Sequence, residues 1–128
     1  MEFAFPGPLR DQLVAAILAG DKTTTSGLID DYERAGEPLP RPGERYAVID
    51  SADNRVAVIE MTAVRVIRLG DVDLPHAVGE GEGYTSVAEW RVGHEQFWHS
   101  AEYRGARGDP GFTVDDDTLM VAQAFRLL

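Results

Sequence analysis

A chain of 128 residues with 44% hydrophobic and 27% charged side chains has enough apolar surface for one domain with a real core, and with no cysteine it cannot build a disulfide, a thiolate nucleophile or a cysteine-based zinc site. A formal charge of −10, from 12 basic and 22 acidic residues, excludes a protein that coats nucleic acid by bulk electrostatics, although it leaves room for a local basic cleft. No apolar run approaches the roughly 18 residues of a membrane span, and Met1-Glu2-Phe3-Ala4-Phe5-Pro6 lacks the basic flank and apolar core of a signal peptide, so the expected location is cytoplasmic.

From Pro8 to Ala19 the apolar residues Leu9, Leu13, Val14, Ile17 and Leu18 fall at helical spacing, with Pro8 in the first turn and Gly20 just past the end. Gly20 turns the chain sharply and puts Lys22 to Ser26 on a loop, leading into a second helix around Leu28 to Ala35 that Thr25 or Ser26 would cap. Glu37-Pro38-Leu39-Pro40-Arg41-Pro42-Gly43 is a connector, because its prolines remove donors and fix φ. Tyr46 to Asp50 reads as a strand, Ser51 to Arg55 as a polar turn, and Val56 to Leu69 as one long strand or two consecutive ones.

Asp71 to Val78 reads as a short helix, followed by Gly79-Glu80-Gly81-Glu82-Gly83, in which alternating glycines free the backbone beside two carboxylates. Ser86-Val87-Ala88-Glu89 has the form of a capping box and opens a helix to about Ala101. Trp90, His94, Phe97 and Trp98 line one face of that helix. Glu102 to Asp117 is loop-like, and Thr118 to Leu128 is a strand that closes a sheet with the hairpin.

Lys22 is the only lysine beside eleven arginines, and it lies in the run Gly20-Asp21-Lys22-Thr23-Thr24-Thr25-Ser26. An amine can act as a base or as an anion ligand, whereas a guanidinium keeps its proton. The candidate chemistry therefore combines this run, the Glu80/Glu82 loop, and His94 with its aromatic neighbours, with Arg65, Arg68, Arg91, Arg104 and Arg107 as candidates for a basic rim. His76, His94 and His99 form no recognised metal motif, since His94-Glu95 to His99 is one residue longer than the zinc-helix spacing, and no metal or other cofactor is expected. The Gly79-x-Gly81-x-Gly83 spacing does not follow a strand and carries glutamates that would repel a pyrophosphate. Asp115-Asp116-Asp117 lacks an EF-hand pattern around it.

Taken in order, the apolar helix, the Gly20-to-Ser26 run, Gly36-Glu37-Pro38-Leu39-Pro40, Glu80-Gly81-Glu82-Gly83 with Ser86 and Trp90-Arg91, the His94-x-x-Phe97 step and the closing strand resemble the ASCH domain, in its longer bacterial branch. The resemblance covers residues 1–128 as one domain and implies an α+β, PUA-like fold: a small β-barrel of about five or six strands with flanking helices and a cleft at the lysine loop. It also implies a link to RNA, since family members include RNA-binding modules, metal-independent ribonucleases and amidohydrolases of N4-acylated cytidine. By position, Lys22, Thr25 and Glu82 match the amidohydrolase site, with Glu80 fitting the same place as Glu82, and Lys22 and Ser86 match cleft positions of the ribonuclease-like branch. Gly27 and Leu28 stand where the amidohydrolases often carry an arginine.

Three functions are expected to compete. The leading expectation is cleavage of single-stranded RNA without metal, with Lys22 and Ser86 on the phosphoryl oxygens, Glu82 or His94 moving protons, and Tyr84 or Trp90 stacking a base; the other two are alternatives to it. The second is amide hydrolysis, with Thr25 as nucleophile, Lys22 as base and Glu82 as proton carrier. The third is binding of RNA or a modified nucleoside without turnover. Lys22, Thr25 and Glu82 are the catalytic candidates; Thr24, Ser26, Glu80, Ser86, Trp90, Arg91 and His94 are the substrate-binding candidates. The sequence leaves monomer and homodimer both open.

Overall fold

The computed structural model describes residues 1–128. Helix α1 spans Pro8–Ala19, the range expected from its periodicity, and ends at Gly20 in the left-handed region (φ 83°). The amides of Asp21 and Lys22 both return to the Ala16 carbonyl, at 2.9 and 3.1 Å, so the helix end also fixes the start of the lysine run. The hydroxyl run beyond it is a strand rather than the expected loop. Thr24–Leu28 forms β1, and α2 (Ile29–Ala35) starts directly after it with Leu28 at its N-cap and no side-chain cap, so neither Thr25 nor Ser26 caps a helix.

Strands β2 (Arg45–Ile49), β3 (Arg55–Arg68) and β4 (Leu119–Leu127) complete a curled antiparallel sheet in the order β1-β4-β3-β2, half of a barrel. Four strands suffice where five or six were expected because β3 serves two partners. Its first part pairs with β2, and from Ile59 onward it pairs with β4, with a register shift between Met61 and Ala63 that bends it. Helices α3 (Leu74–Gly79), α4 (Val87–Trp98) and α5 (Ala101–Arg107) cover one side. The last of these lies in the stretch expected to be a loop. No helix is long and apolar enough to cross a membrane.

Two apolar clusters share the sheet. Leu13, Val14 and Ile17 of α1 pack with Phe3, Val48, Ile59, Met61 and Phe125. Trp90, Trp98 and Tyr103 of the later helices pack with Leu28, Leu69, Met120 and Ala122. Strand β4 supplies both, Met120 and Ala122 to one and Phe125 to the other, as its two-residue alternation requires. Ile17 is 1% exposed at the centre of the α1 cluster. Ile17→Ala is expected to cost about 2–5 kcal/mol, read as a lowered midpoint of denaturant unfolding with little change in slope.

Candidate functional site

The site is built at the seam of the two clusters. Lys22 is 2% exposed and Glu80 equally so. The Lys22 Nζ lies 5.6 Å from the centre of the Phe3 ring and donates to Glu80 Oε1 at 3.1 Å, to the Thr24 carbonyl at 2.8 Å and to the Glu80 carbonyl at 3.3 Å. Three protons meet three acceptors, so the amine is held as an ammonium.

The second oxygen of Glu80 is just as fully engaged. Oε2 accepts from Trp90 Nε1 at 2.6 Å and from Ser26 Oγ at 2.9 Å, and His94 Nε2 stands 2.9 Å away. Burial pushes the Glu80 carboxyl up, but Lys22, His94 and Trp90 outweigh it and hold it well below the usual carboxylate range. The same contacts assign the protons of both histidines. His94 Nδ1 faces the Trp90 carbonyl at 3.0 Å while Nε2 faces an ionised carboxylate; two acceptors require two N–H groups, so the ring is an imidazolium. Burial opposes that charge, and Glu80, Glu82 and the Trp90 carbonyl overcome it, raising the His94 pKa. The ring stacks on Trp90 at 4.2 Å between centroids. His76, lowered by burial, is neutral; its Nε2 lies 2.7 Å from Ser26 Oγ, which itself donates to Glu80, so His76 donates.

The glycines around Glu80 follow from how closely this loop approaches β1. A Cβ on Gly79 would stand 2.7 Å from Thr24 Cγ2, and one on Gly81, where φ is +74°, would stand 2.8 Å from Lys22 N, Cα and Cβ. The loop is also tied by the Thr23 amide to the Gly79 carbonyl at 2.7 Å. Gly-Glu-Gly is thus the pattern that lets a carboxylate reach a buried amine through backbone contact.

Beside this centre opens a cleft of about 830 Å3, within the range of small-molecule sites. Lys22, Thr25, Glu82, Tyr84, His94 and Gln123 all contribute to its lining. Among the strand hydroxyls, Thr24 Oγ1 donates to the His76 carbonyl and Ser26 Oγ donates to Glu80, so both are engaged within the protein. The Thr25 hydroxyl has no hydrogen-bond partner within the protein, and the residue lines the cleft. Glu82 is the other carboxylate here, and burial, with help from the charge of Glu80, raises its pKa. Tyr84 is pushed up to about 12 by burial and by these two carboxylates, and its hydroxyl lies where only a glycine at position 93 fits, since a Cβ there would be 2.1 Å away.

Lys22, Thr25, Ser26, Glu80, Glu82 and His94 are therefore brought together. Ser86 and Arg91 lie outside the cleft lining: Ser86 Oγ accepts from the Glu89 amide as the cap of α4, and Arg91 pairs with Glu95 and Asp116. Trp90 is fully buried and cannot stack a base; its part is to donate to Glu80. The five arginines form no basic rim. Arg65 pairs with Asp73, Arg68 with Asp71 and Asp117, Arg107 with Asp30 and Asp31, and Arg104 donates to the Phe112 carbonyl. No arginine lines the cleft. Gln123 and Tyr32, which do line it, carry no distinguishing signal in the sequence, where one is an ordinary strand residue and the other an ordinary helix aromatic. Glu80, Glu82 and His94 offer potential ligand atoms within 4.8 Å of one another, but an ion there would have to displace the proton between Glu80 and His94.

Lys22→Met, which leaves Glu80 buried without its ammonium, is expected to cost about 3–5 kcal/mol, and adding Glu80→Gln to restore part of it, in a double-mutant cycle of denaturant unfolding. Because the His94 pKa is raised on folding, its stabilisation is complete below about pH 6.5 and fades as pH rises through the folded-state value. Stability is expected to fall across that window, and His94→Gln to flatten the slope. Glu80 has the opposite sign: its contribution is present above about pH 4.5 and is lost as pH falls toward the folded-state value.

The sequence profile of the ASCH domain matches residues 2–128. Among solved structures, an ASCH domain from Lactobacillus crispatus superposes with a TM-score of 0.83 at 25% identity, covering 99% of this chain and 77% of its own. A protein from Enterococcus faecalis superposes equally well, with a TM-score of 0.83 at 23% identity, covering 99% of this chain and 74% of its own. Among curated proteins none matches. With its half-barrel sheet, flanking helices and lysine-centred cleft, the chain belongs to the ASCH domain family.

Proposed function

We propose that the cleft hydrolyses the amide of a small, neutral N-acylated nucleobase, with N4-acylated cytidine as the substrate class. One observation carries this reading: Thr25 lines the cleft and is the residue of the β1 run whose hydroxyl has no partner, in a lining that holds a carboxylate of raised pKa and no arginine. A nucleophilic hydroxyl needs a base, and Glu82 suits the task because burial raises its pKa above that of an ordinary carboxylate and so makes it a better proton acceptor. Lys22 suits it less, since accepting a proton would first require it to surrender one of three hydrogen bonds. Its part is to fix Glu80 and the start of β1, and so the position of Thr25.

In the proposed reaction Thr25 Oγ attacks the acyl carbon while its proton passes to Glu82. The C–N bond then breaks as Glu82 returns that proton to the departing nitrogen, leaving an acyl ester on Thr25. Water adds to the ester with Glu82 again as base, and the Thr25 oxygen leaves with the proton Glu82 has taken. The products are the free amine and a carboxylic acid.

Cleavage of single-stranded RNA has less support. A polyanion is drawn by unpaired cations, whereas the charged groups that line the cleft besides Lys22 and His94 include Glu2, Asp31, Glu37 and Glu82. Incubation with acetylated cytidine is expected to release cytidine and acetate, with Thr25→Val and Glu82→Gln each lowering kcat by about 100-fold or more at unchanged stability. Single-stranded RNA is expected to stay intact under the same conditions. RNA cleavage that depends on Lys22, without release of cytidine, would replace this reading with the other.

A further inference from the structure

Gln123 lies on β4 directly opposite Thr25 on β1, so the two side chains rise from the same face of the sheet as a cross-strand pair. It is 3% exposed and lines the cleft. Its amide is used at one end only: Nε2 donates to the Tyr32 hydroxyl at 3.2 Å, while Oε1, buried, accepts no hydrogen bond from the protein. An unpaired buried carbonyl is costly unless something supplies a donor. The Tyr32 hydroxyl, accepting from Gln123, still has its own proton to give. Tyr32 is brought to this wall by the absence of a side chain at position 27, where a Cβ would lie 3.2 Å from its ring. Together the two residues present an acceptor and a donor side by side, next to a free hydroxyl.

That wall complements a ligand carrying an N–H beside an acceptor atom, which is the edge of a secondary amide attached to a pyrimidine-type ring. We infer that Gln123 reads the scissile amide: its Oε1 accepts the amide N–H, Tyr32 donates to the neighbouring ring nitrogen, and the acyl carbon, one bond from the amide nitrogen, is thereby turned toward Thr25. This inference rests on the hydrolase reading for the identity of the amide, but not for the recognition itself. Gln123 is thus a substrate-binding residue that selects amides bearing a proton. A fully substituted amide nitrogen leaves the Gln123 carbonyl unpaired and is rejected.

The test compares acetylated cytidine with the same compound methylated on the amide nitrogen, using the full chain and measuring both turnover and binding by calorimetry. The N–H compound is expected to be preferred by ~30-fold or more, in kcat/KM where turnover occurs and in Kd otherwise. Gln123→Met is expected to shrink the preference to within ~3-fold by weakening the N–H compound alone, and Gln123→Glu, which keeps an acceptor, to retain it. Turnover of both compounds at similar rates, or a preference that persists in Gln123→Met, overturns the inference and leaves the hydrolase reading intact. Binding with the expected preference but without turnover upholds Gln123 as the reader and removes the hydrolase reading. Failure to bind or turn over either compound overturns both. Should Gln123→Met not fold, Tyr32→Phe carries the test: the role given to its hydroxyl requires that this variant weaken the N–H compound, and an unchanged affinity and rate overturn it.

Discussion

The interaction on which this structure depends is the buried contact of Lys22 with Glu80. Two charges taken out of water at nearly full burial are costly, and the cost is offset only when every remaining proton and lone pair finds a partner. Here that condition is met at both ends. The ammonium has three acceptors, and the carboxylate is divided between the ammonium on one oxygen and Trp90, Ser26 and His94 on the other. Because Lys22 leads out of α1 into β1 and Glu80 follows α3, the pair joins elements that are distant in the chain and couples the cluster around Phe3 to the one around Trp90.

This also accounts for a lone lysine in an arginine-rich chain. The acceptors around Nζ are a side-chain oxygen and two backbone carbonyls, one from the start of β1 and one from the glycine loop. A compact ammonium with three diverging protons suits that cage, whereas a planar guanidinium presents a flat fork suited to paired carboxylate oxygens. The arginines meet the needs for which that fork is fitted, in pairs such as Arg68 with Asp71 and Arg107 with Asp30 and Asp31.

Two glutamates separated by one glycine have their pKa values moved in opposite directions by their surroundings. Glu80 is deeper, yet it is held ionised by cations and donors; Glu82 is less buried, yet desolvation, helped by the charge of Glu80, outweighs His94, Lys22 and Tyr84 and raises it. The cleft that receives Glu82 is lined by aromatic, amide and hydroxyl groups together with acidic side chains, and by no arginine.

Much of the scaffold was legible in the residues. Helix α1 and its glycine stop, the Ser86 cap, the aromatic face of α4 and the β2/β3 hairpin all follow from local periodicity and turn chemistry, which a chain carries wherever it is placed. The family and the importance of Lys22 were legible for the same reason, since a single amine followed by hydroxyls and a Gly-Glu-Gly-Glu run are patterns in order. Strand β1 was hidden because Thr24 to Gly27 has no apolar alternation and becomes a strand only by pairing with β4. Helix α5 was hidden because its seven residues include Gly105 and depend on tertiary anchors, namely the Ser100 cap and the packing of Tyr103 beneath Phe97 and Phe112. Which glutamate meets the lysine, which hydroxyl stays free and which side of β4 supplies Gln123 were decided by the tertiary structure alone. Each is settled by a cross-strand register or a loop-to-strand approach of a few ångströms, and no interval along the sequence encodes such a distance.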